Sequence, residues 1–344
     1  MKFSTPILYT ICFFSSFFLS LVFTPLARLI AIKLNIFDHP ISSVKTHKKP
    51  TPYLGGLAIF CAFFFSLFLI RLFTEFPSGT LRTIRGIIFG SLFILMLGLI
   101  DDVKYTGLHY RTKFLFQIFA AFLVIIFGVN IQFIKPFWLG HLLTLLWIVG
   151  ITNAFNLIDI MDGLASGVVI VVSLAFLFIS LPTEAIYVNF SSAALAGACL
   201  GFIPYNLSQK YKLFMGDTGS LVLGFICASL SMGTSYGDKT EIAVFAPLLL
   251  LAIPIYDTLL VFYLRIRKGK SPFLGSKDHF PLRLEQLGWS RSNILIFILT
   301  LNSVFCLFAF FITQTNVFLN VFFYLIALVI LSLLTRYVLK VEVK

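Results

Sequence analysis

The sequence predicts an all-α, polytopic membrane fold on three observations. Of its 344 residues 59% are hydrophobic and only 12% charged, and mean hydropathy is +1.00, outside the range of soluble domains. Apolar runs near the spanning length of about 20 residues recur from end to end with short polar breaks. Ionisable residues collect in those breaks, and most of the acids fall on one side.

Taken in order, the runs are Pro6–Ile30, Tyr53–Phe73, Ile84–Ile100, Lys113–Val129, Phe137–Phe155, Ala165–Leu181, Phe190–Tyr205, Ser220–Gly233, Ile242–Arg265, Asn293–Ile312 and Val317–Val338. They predict about eleven transmembrane helices. The first is too long for a signal-peptide core, lacks a small-residue cleavage site and continues through Pro25, so it reads as a span. The eighth is short and carries Gly224 and several serines. No linker or repeat divides the chain, which reads as one membrane domain over residues 1–344. Cys12, Cys61, Cys199, Cys227 and Cys306 all lie in apolar runs without C-x-x-C spacing, which argues against a disulfide framework or a thiolate metal site.

Basic residues orient the chain. All but Lys2, Arg71, Arg82, Arg85, Lys135 and Lys239 fall on the side of the loops after runs one, three, five, seven and nine, together with the C-terminal tail. This predicts an outside N-terminus and a cytoplasmic C-terminus. The net charge of +12 is then mainly a topology signal, not a nucleic-acid footprint. Every aspartate except Asp238 and every histidine except His141 shares the cytoplasmic side, so the active site is expected on that face.

Four constellations carry the chemistry. Asp101-Asp102 closes the third run, where two adjacent carboxylates persist only if cations or a phosphate-bound metal offset their repulsion. Their side chains diverge by about 100° on a helix, so one is free for a ligand while the other binds a partner. Asn156, Asp159 and Asp162 recur at intervals of three and share one face if the segment is helical, which suits magnesium or ribose and phosphate contacts. Gly216-Asp217-Thr218-Gly219 opens the eighth run, where helix amides favour an anion and Asp217 offers a hard oxygen to magnesium. Basic loops follow the first run (Lys45, His47, Lys48, Lys49) and the ninth (Arg265, Arg267, Lys268, Lys270, Asp278, His279, Arg283). Asp257, inside the ninth run, is expected to face a cavity or a partner. Acids for metal, amides for phosphate and bases for phosphate charge on one face fit phosphoryl transfer to a lipid.

The ordered motifs are His47…Pro50-x-Pro52-x-x-Gly55-Gly56, Asp101-Asp102, Asn156-x-x-Asp159-x-x-Asp162-Gly163, Gly216-Asp217-x-Gly219-Ser220 and Ser271-Pro272-Phe273…His279. With them the chain resembles the polyprenyl-phosphate N-acetylhexosamine-1-phosphate transferases, from about Asp38 to Gly288. The resemblance implies a magnesium-dependent enzyme (manganese as substitute) of the cell's inner (plasma) membrane. Such enzymes move a sugar-1-phosphate from a UDP-sugar to undecaprenyl phosphate, release UMP, and start lipid-linked envelope glycans such as lipopolysaccharide. Family members are often homodimers.

By that likeness Asp217 and Asp101 hold the metal, Asp101 and Asp102 bind or deprotonate the lipid phosphate, and Asn156 and Asp159 contact the nucleotide. His279 meets the diphosphate or sugar end. Asp159 joins Asp101, Asp102 and His279 as a catalytic candidate, and Lys45, His47, Asp162, Arg265 and Arg283 join Asn156 as substrate-binding candidates. Two departures stand out: Ile160-Met161 follows Asp159 where the family has Asp-Gly, and only His279 remains of a several-histidine motif, with Arg283 nearby as a replacement phosphate contact. The first loop lacks the Gly-Thr-Pro-Thr-Met-Gly-Gly run of the phospho-MurNAc-pentapeptide branch, which favours a UDP-N-acetylhexosamine donor. That branch stays as the alternative. A CDP-alcohol phosphotransferase is disfavoured by Leu164-Ala165 after Gly163, and a transporter by acids at helix ends instead of mid-membrane.

Overall fold

The computed structural model describes residues 5–40, 49–76, 78–104, 107–182, 185–234, 236–237, 239–271 and 276–341. Each apolar run is helical. In chain order these are α1 (Thr5–Lys33), α2 (Gly55–Phe73), α3 (Ser78–Val103), α4 (Tyr110–Ile126), α5 (Phe137–Ile158), α6 (Leu164–Ser180), α7 (Ile186–Asn206) and α8 (Gly216–Gly233). A 3₁₀ turn (Glu241–Phe245) then leads into α9 (Ala246–Leu250), α10 (Ala252–Arg267), α11 (Phe280–Gln286), α12 (Arg291–Gln314) and α13 (Val317–Val338). Between α1 and α2 a two-residue strand β1 (Phe37–Asp38) pairs antiparallel with β2 (Thr51–Pro52).

Among the described residues seven helices are long and apolar enough to cross a membrane: α1, α2, α3, α5, α7, α12 and α13. The turn and α9 make an eighth with α10, bent by 70°. Pro254 explains the bend, because it has no N–H to give the Leu250 carbonyl and the helical ladder fails there. The expected crossings at α4, α6 and α8 are helical but shorter or more polar: α4 and α6 have 17 residues each, and α8 opens on Gly216-Asp217. The chain is a multi-pass membrane protein. Its outer helices turn Phe14, Phe18, Phe119, Phe122, Phe318 and Leu328 outward, an arrangement stable against lipid and costly against water.

At the centre stands α8, with every residue from Thr218 to Ser231 buried and α2, α3 and α5 packed around it. That position explains its composition. A helix enclosed by protein needs small residues for close approach more than it needs bulk. Gly56 of α2 lies so near that a Cβ on it would sit 2.1 Å from the Gly219 backbone nitrogen, and one on Gly98 of α3 would sit 2.4 Å from the Thr218 Cα. Both helices therefore touch the first turn of α8 through their glycines. Gly56→Ala should cost about 1–3 kcal/mol, because backbone on both sides cannot yield. Thermal unfolding of the detergent-solubilised protein checks this, and an unchanged midpoint would mean that the contact is slack.

Candidate active site

The aspartates of α3 and α8 meet at one end of the bundle, where α3 and α5 finish and α4 and α8 begin. Asp101 and Asp102 lie in the last turn of α3, and their side chains diverge as the helical step requires. Asp102 turns inward and is buried. Its Oδ1 accepts the Asp217 N–H at 2.9 Å, and its Oδ2 accepts the Thr218 N–H at 3.0 Å and the Thr218 hydroxyl at 2.5 Å. No side chain of α8's own N-cap, Met215, serves that helix end. A carboxylate from α3 thus caps α8 and takes the place of the external anion expected there, which corrects the reading of these amides as a phosphate cradle. The Tyr53 hydroxyl donates to the backbone carbonyl of Asp102, and burial followed by the Asp102 charge raises its own pKa.

Asp101 turns the other way. Its Oδ1 accepts the Leu108 N–H at 2.5 Å, and its Oδ2 lies 2.7 Å from the Lys113 ammonium. The same ammonium lies 2.5 Å from Asp217 Oδ2. Lys113, from the first turn of α4, therefore bridges two carboxylates that belong to α3 and α8. One carboxylate oxygen each from Asp101, Asp102 and Asp217 lie within 4.8 Å of one another. The oxygens of Asp102 are already engaged with three donors, while those of Asp101 and Asp217 retain lone pairs.

The α5–α6 turn supplies the next residues. Asn156 donates to the Ser220 hydroxyl at 3.0 Å and faces the Asp217 carboxylate. Helix α5 stops at Ile158 and Asp159 is its C-cap, so Asn156, Asp159 and Asp162 do not share one helical face as expected. Gly163 is left-handed at φ 75° and its N–H is held 2.6 Å from Oδ1 of the distant Asn206, which pulls the chain out of the helix. Asn206 also donates to the Leu213 carbonyl at 3.1 Å, which ties this turn to the segment entering α8. Burial, then the charges of Asp217 and Asp162, push the Asp159 carboxyl up to about 7. Asp162 pairs with Lys212 at 2.6 Å.

The last loop forms a separate cluster. His279 Nδ1 lies 2.7 Å from Asp257 Oδ2, and both residues are buried. Asp278 accepts from Lys268 at 2.8 Å, Arg283 at 2.9 Å and the Ser276 hydroxyl at 3.0 Å. Burial alone would raise the Asp278 pKa, but these partners hold it below the ordinary carboxylate range. Arg283 does not fit a phosphate contact. It is 2% exposed, and its guanidinium donates to Asp278 and to the Val338 and Val341 carbonyls, so it fastens the C-terminal end of α13 to the loop. Arg265 folds back on the Ser271 carbonyl at 2.6 Å. Lys45 and His47, with Pro272 and Phe273, lie outside the described residues.

Sequence reasoning missed Lys113, Tyr53 and Asn206. Lys113 carried the clearest signal, a lysine at the mouth of an apolar run twelve residues after Asp101. The partnerships of Tyr53 and Asn206 had no local signature.

A family model described as glycosyl transferase family 4 matches residues 84–235, which holds Asp101, Asp102, Lys113, Asn156, Asp159 and Asp217. The chain is 32% identical to a Bacillus subtilis protein named "Probable undecaprenyl-phosphate N-acetylglucosaminyl 1-phosphate transferase", over 95% of this chain and 91% of the relative. It is 32% identical to a Mycobacterium tuberculosis decaprenyl-phosphate N-acetylglucosaminephosphotransferase, over 79% of the chain and 74% of the relative. With an Escherichia coli undecaprenyl-phosphate alpha-N-acetylglucosaminyl 1-phosphate transferase it shares 27% identity, over 83% and 78%.

Proposed function

The chain belongs to glycosyl transferase family 4, and from that premise we propose that it transfers N-acetylglucosamine-1-phosphate, or that of a closely related N-acetylhexosamine, from a UDP-sugar to a polyprenyl phosphate and releases UMP. The observation that carries this reading is the Asp101–Lys113–Asp217 bridge at one end of the bundle. All eleven helical segments then cross the inner (plasma) membrane, with the N-terminus outside and this end at the cytoplasm, as the lysine and arginine bias supports.

In the reaction an oxygen of the lipid phosphate forms a bond to the phosphorus that bears the sugar. The bond from that phosphorus to the UMP oxygen breaks, and UMP leaves with the electron pair. A phosphate monoester is largely dianionic at neutral pH, with a second pKa near 6, so attack needs no strong base. The residues instead position phosphates and offset their charge. Lys113 supplies a cation between two carboxylates. Asn156 and Asp159 flank Asp217 on the nucleotide side, and His279 meets the diphosphate or sugar end.

The donor set fits magnesium: hard carboxylate oxygens from Asp101 and Asp217, the one or two protein carboxylates such a site commonly uses. Asp102 is not in that set, because it caps α8. Magnesium, when bound there, would neutralise the charge that develops on the transferring phosphates.

The test is a donor panel of UDP-GlcNAc, UDP-GalNAc and UDP-MurNAc-pentapeptide with purified protein, undecaprenyl phosphate and magnesium, read as UMP release. UDP-GlcNAc or UDP-GalNAc should turn over, EDTA should stop the reaction, and added magnesium or manganese should restore it. Turnover of the pentapeptide donor alone would move the chain to the peptidoglycan branch. Activity undiminished in EDTA would remove the metal.

A further inference from the structure

Asp257 is fully buried in α10, within a run otherwise suited to lipid, and a lone carboxylate there is costly. Among the described residues it has two partners. Oδ1 accepts the Phe280 N–H at 2.6 Å, and Oδ2 lies 2.7 Å from His279 Nδ1. A carboxylate that accepts a backbone N–H on one oxygen has only an acceptor to offer on the other, so His279 Nδ1 must carry the hydrogen. The second ring nitrogen, Nε2, is then the one left for a ligand.

The flanking residues do not share this role. Asp278 is held by Lys268, Arg283 and Ser276, and Arg283 by the end of α13, so the loop around the ring is fixed from the other side. Among the described residues, the rotation and tautomer of the imidazole are left to Asp257.

We propose that Asp257 is a positioning residue that fixes the Nδ1–H tautomer of His279 and so presents Nε2 as a hydrogen-bond acceptor to a hydroxyl or amide N–H at the sugar end of the donor. The proposal rests on the transferase reading above for what Nε2 meets, and on the hydrogen bonds of Asp257 alone for the tautomer.

An Asp257→Asn substitution isolates the effect. The amide keeps the shape of the carboxylate but has one oxygen and one NH₂. The Phe280 N–H requires the oxygen, so the NH₂ points at Nδ1 and forces the hydrogen to Nε2. The substitution reverses the tautomer without removing a side chain.

The experiment pairs two readouts. In ¹⁵N-histidine spectra of the micelle-solubilised protein, with the His279 signals identified by their loss in His279→Gln, the wild type should show Nδ1 protonated and Asp257→Asn should show Nε2 protonated. In UMP-release assays Asp257→Asn should lower kcat about 10–100-fold with KM for the UDP-sugar little changed, by analogy with loss of the hydrogen-bond partner of a metal-ligating histidine. On a His279→Ala background it should cost nothing further. An Nε2–H tautomer in the wild type would overturn the proposal even if Asp257→Asn fails to fold, and so would an equal loss on the His279→Ala background. Failure of every donor would instead sink the transferase reading and leave the tautomer result standing.

Discussion

Asp217→Asn should reduce UMP release by about 10²–10³-fold while the protein stays folded, the loss that follows when a group stabilising transition-state charge is removed. Only the carboxylate changes. The Asp217 backbone N–H still donates to Asp102, so the cap on α8 survives. The bridge does not. An amide NH₂ facing the Lys113 ammonium sets donor against donor, and an amide oxygen is a weaker ligand for a hard dication than a carboxylate. Asp101, Asp102 and Asp159 are acids near Asp217, so relief of their repulsion offsets part of the lost Lys113 bridge and the unfolding midpoint should fall only slightly. Turnover equal to the wild type at saturating magnesium would withdraw Asp217 from the metal site. Lost turnover with a collapsed midpoint would mean that the carboxylate serves the fold instead.

The separation of chemistry from structure in this cluster was only partly legible in the sequence. The helices were, because a span announces itself by composition over about twenty residues, and every apolar run from Pro6 to Val338 holds a helix near where that reading placed it, although the ninth is broken at Leu251. The collection of acids near one end of the bundle was legible too, because helix ends alternate sides. What could not be read was which carboxylate bonds to what. Asp102 and Thr218 are 116 positions apart, and no periodicity links them. Arg283 reads as a phosphate contact because a guanidinium can replace the missing loop histidines, yet its partners are Asp278 and carbonyls 55 and 58 residues later, at the end of another helix. Asn156, Asp159 and Asp162 have helical spacing, but Gly163 and the distant Asn206 end the helix before the series is complete. Asp257 is the opposite case. A carboxylate inside an apolar run demands a partner, and His279 is that partner.

Asp101 and Asp102 are neighbours in sequence, and their substitution to alanine should give opposite results. Asp102→Ala removes three charge-assisted hydrogen bonds at a buried helix end and leaves the N–H groups of Asp217 and Thr218, and the Thr218 hydroxyl, without acceptors. Leaving a buried donor without an acceptor costs about 1–3 kcal/mol, and three such donors are enough to lose much of the folded protein. Asp102→Asn keeps one acceptor oxygen and should fall between the two. Asp101→Ala loses the Leu108 N–H and one of the two carboxylates on Lys113, but Lys113 keeps Asp217 and the helix ends stay capped. That variant should purify with a midpoint close to the wild type and release little UMP. The comparison is read by size-exclusion yield and thermal midpoint on one axis and UMP release on the other. If Asp102→Ala folds as well as the wild type yet is inactive, its carboxylate belongs to the chemistry, and the cap on α8 must be dispensable.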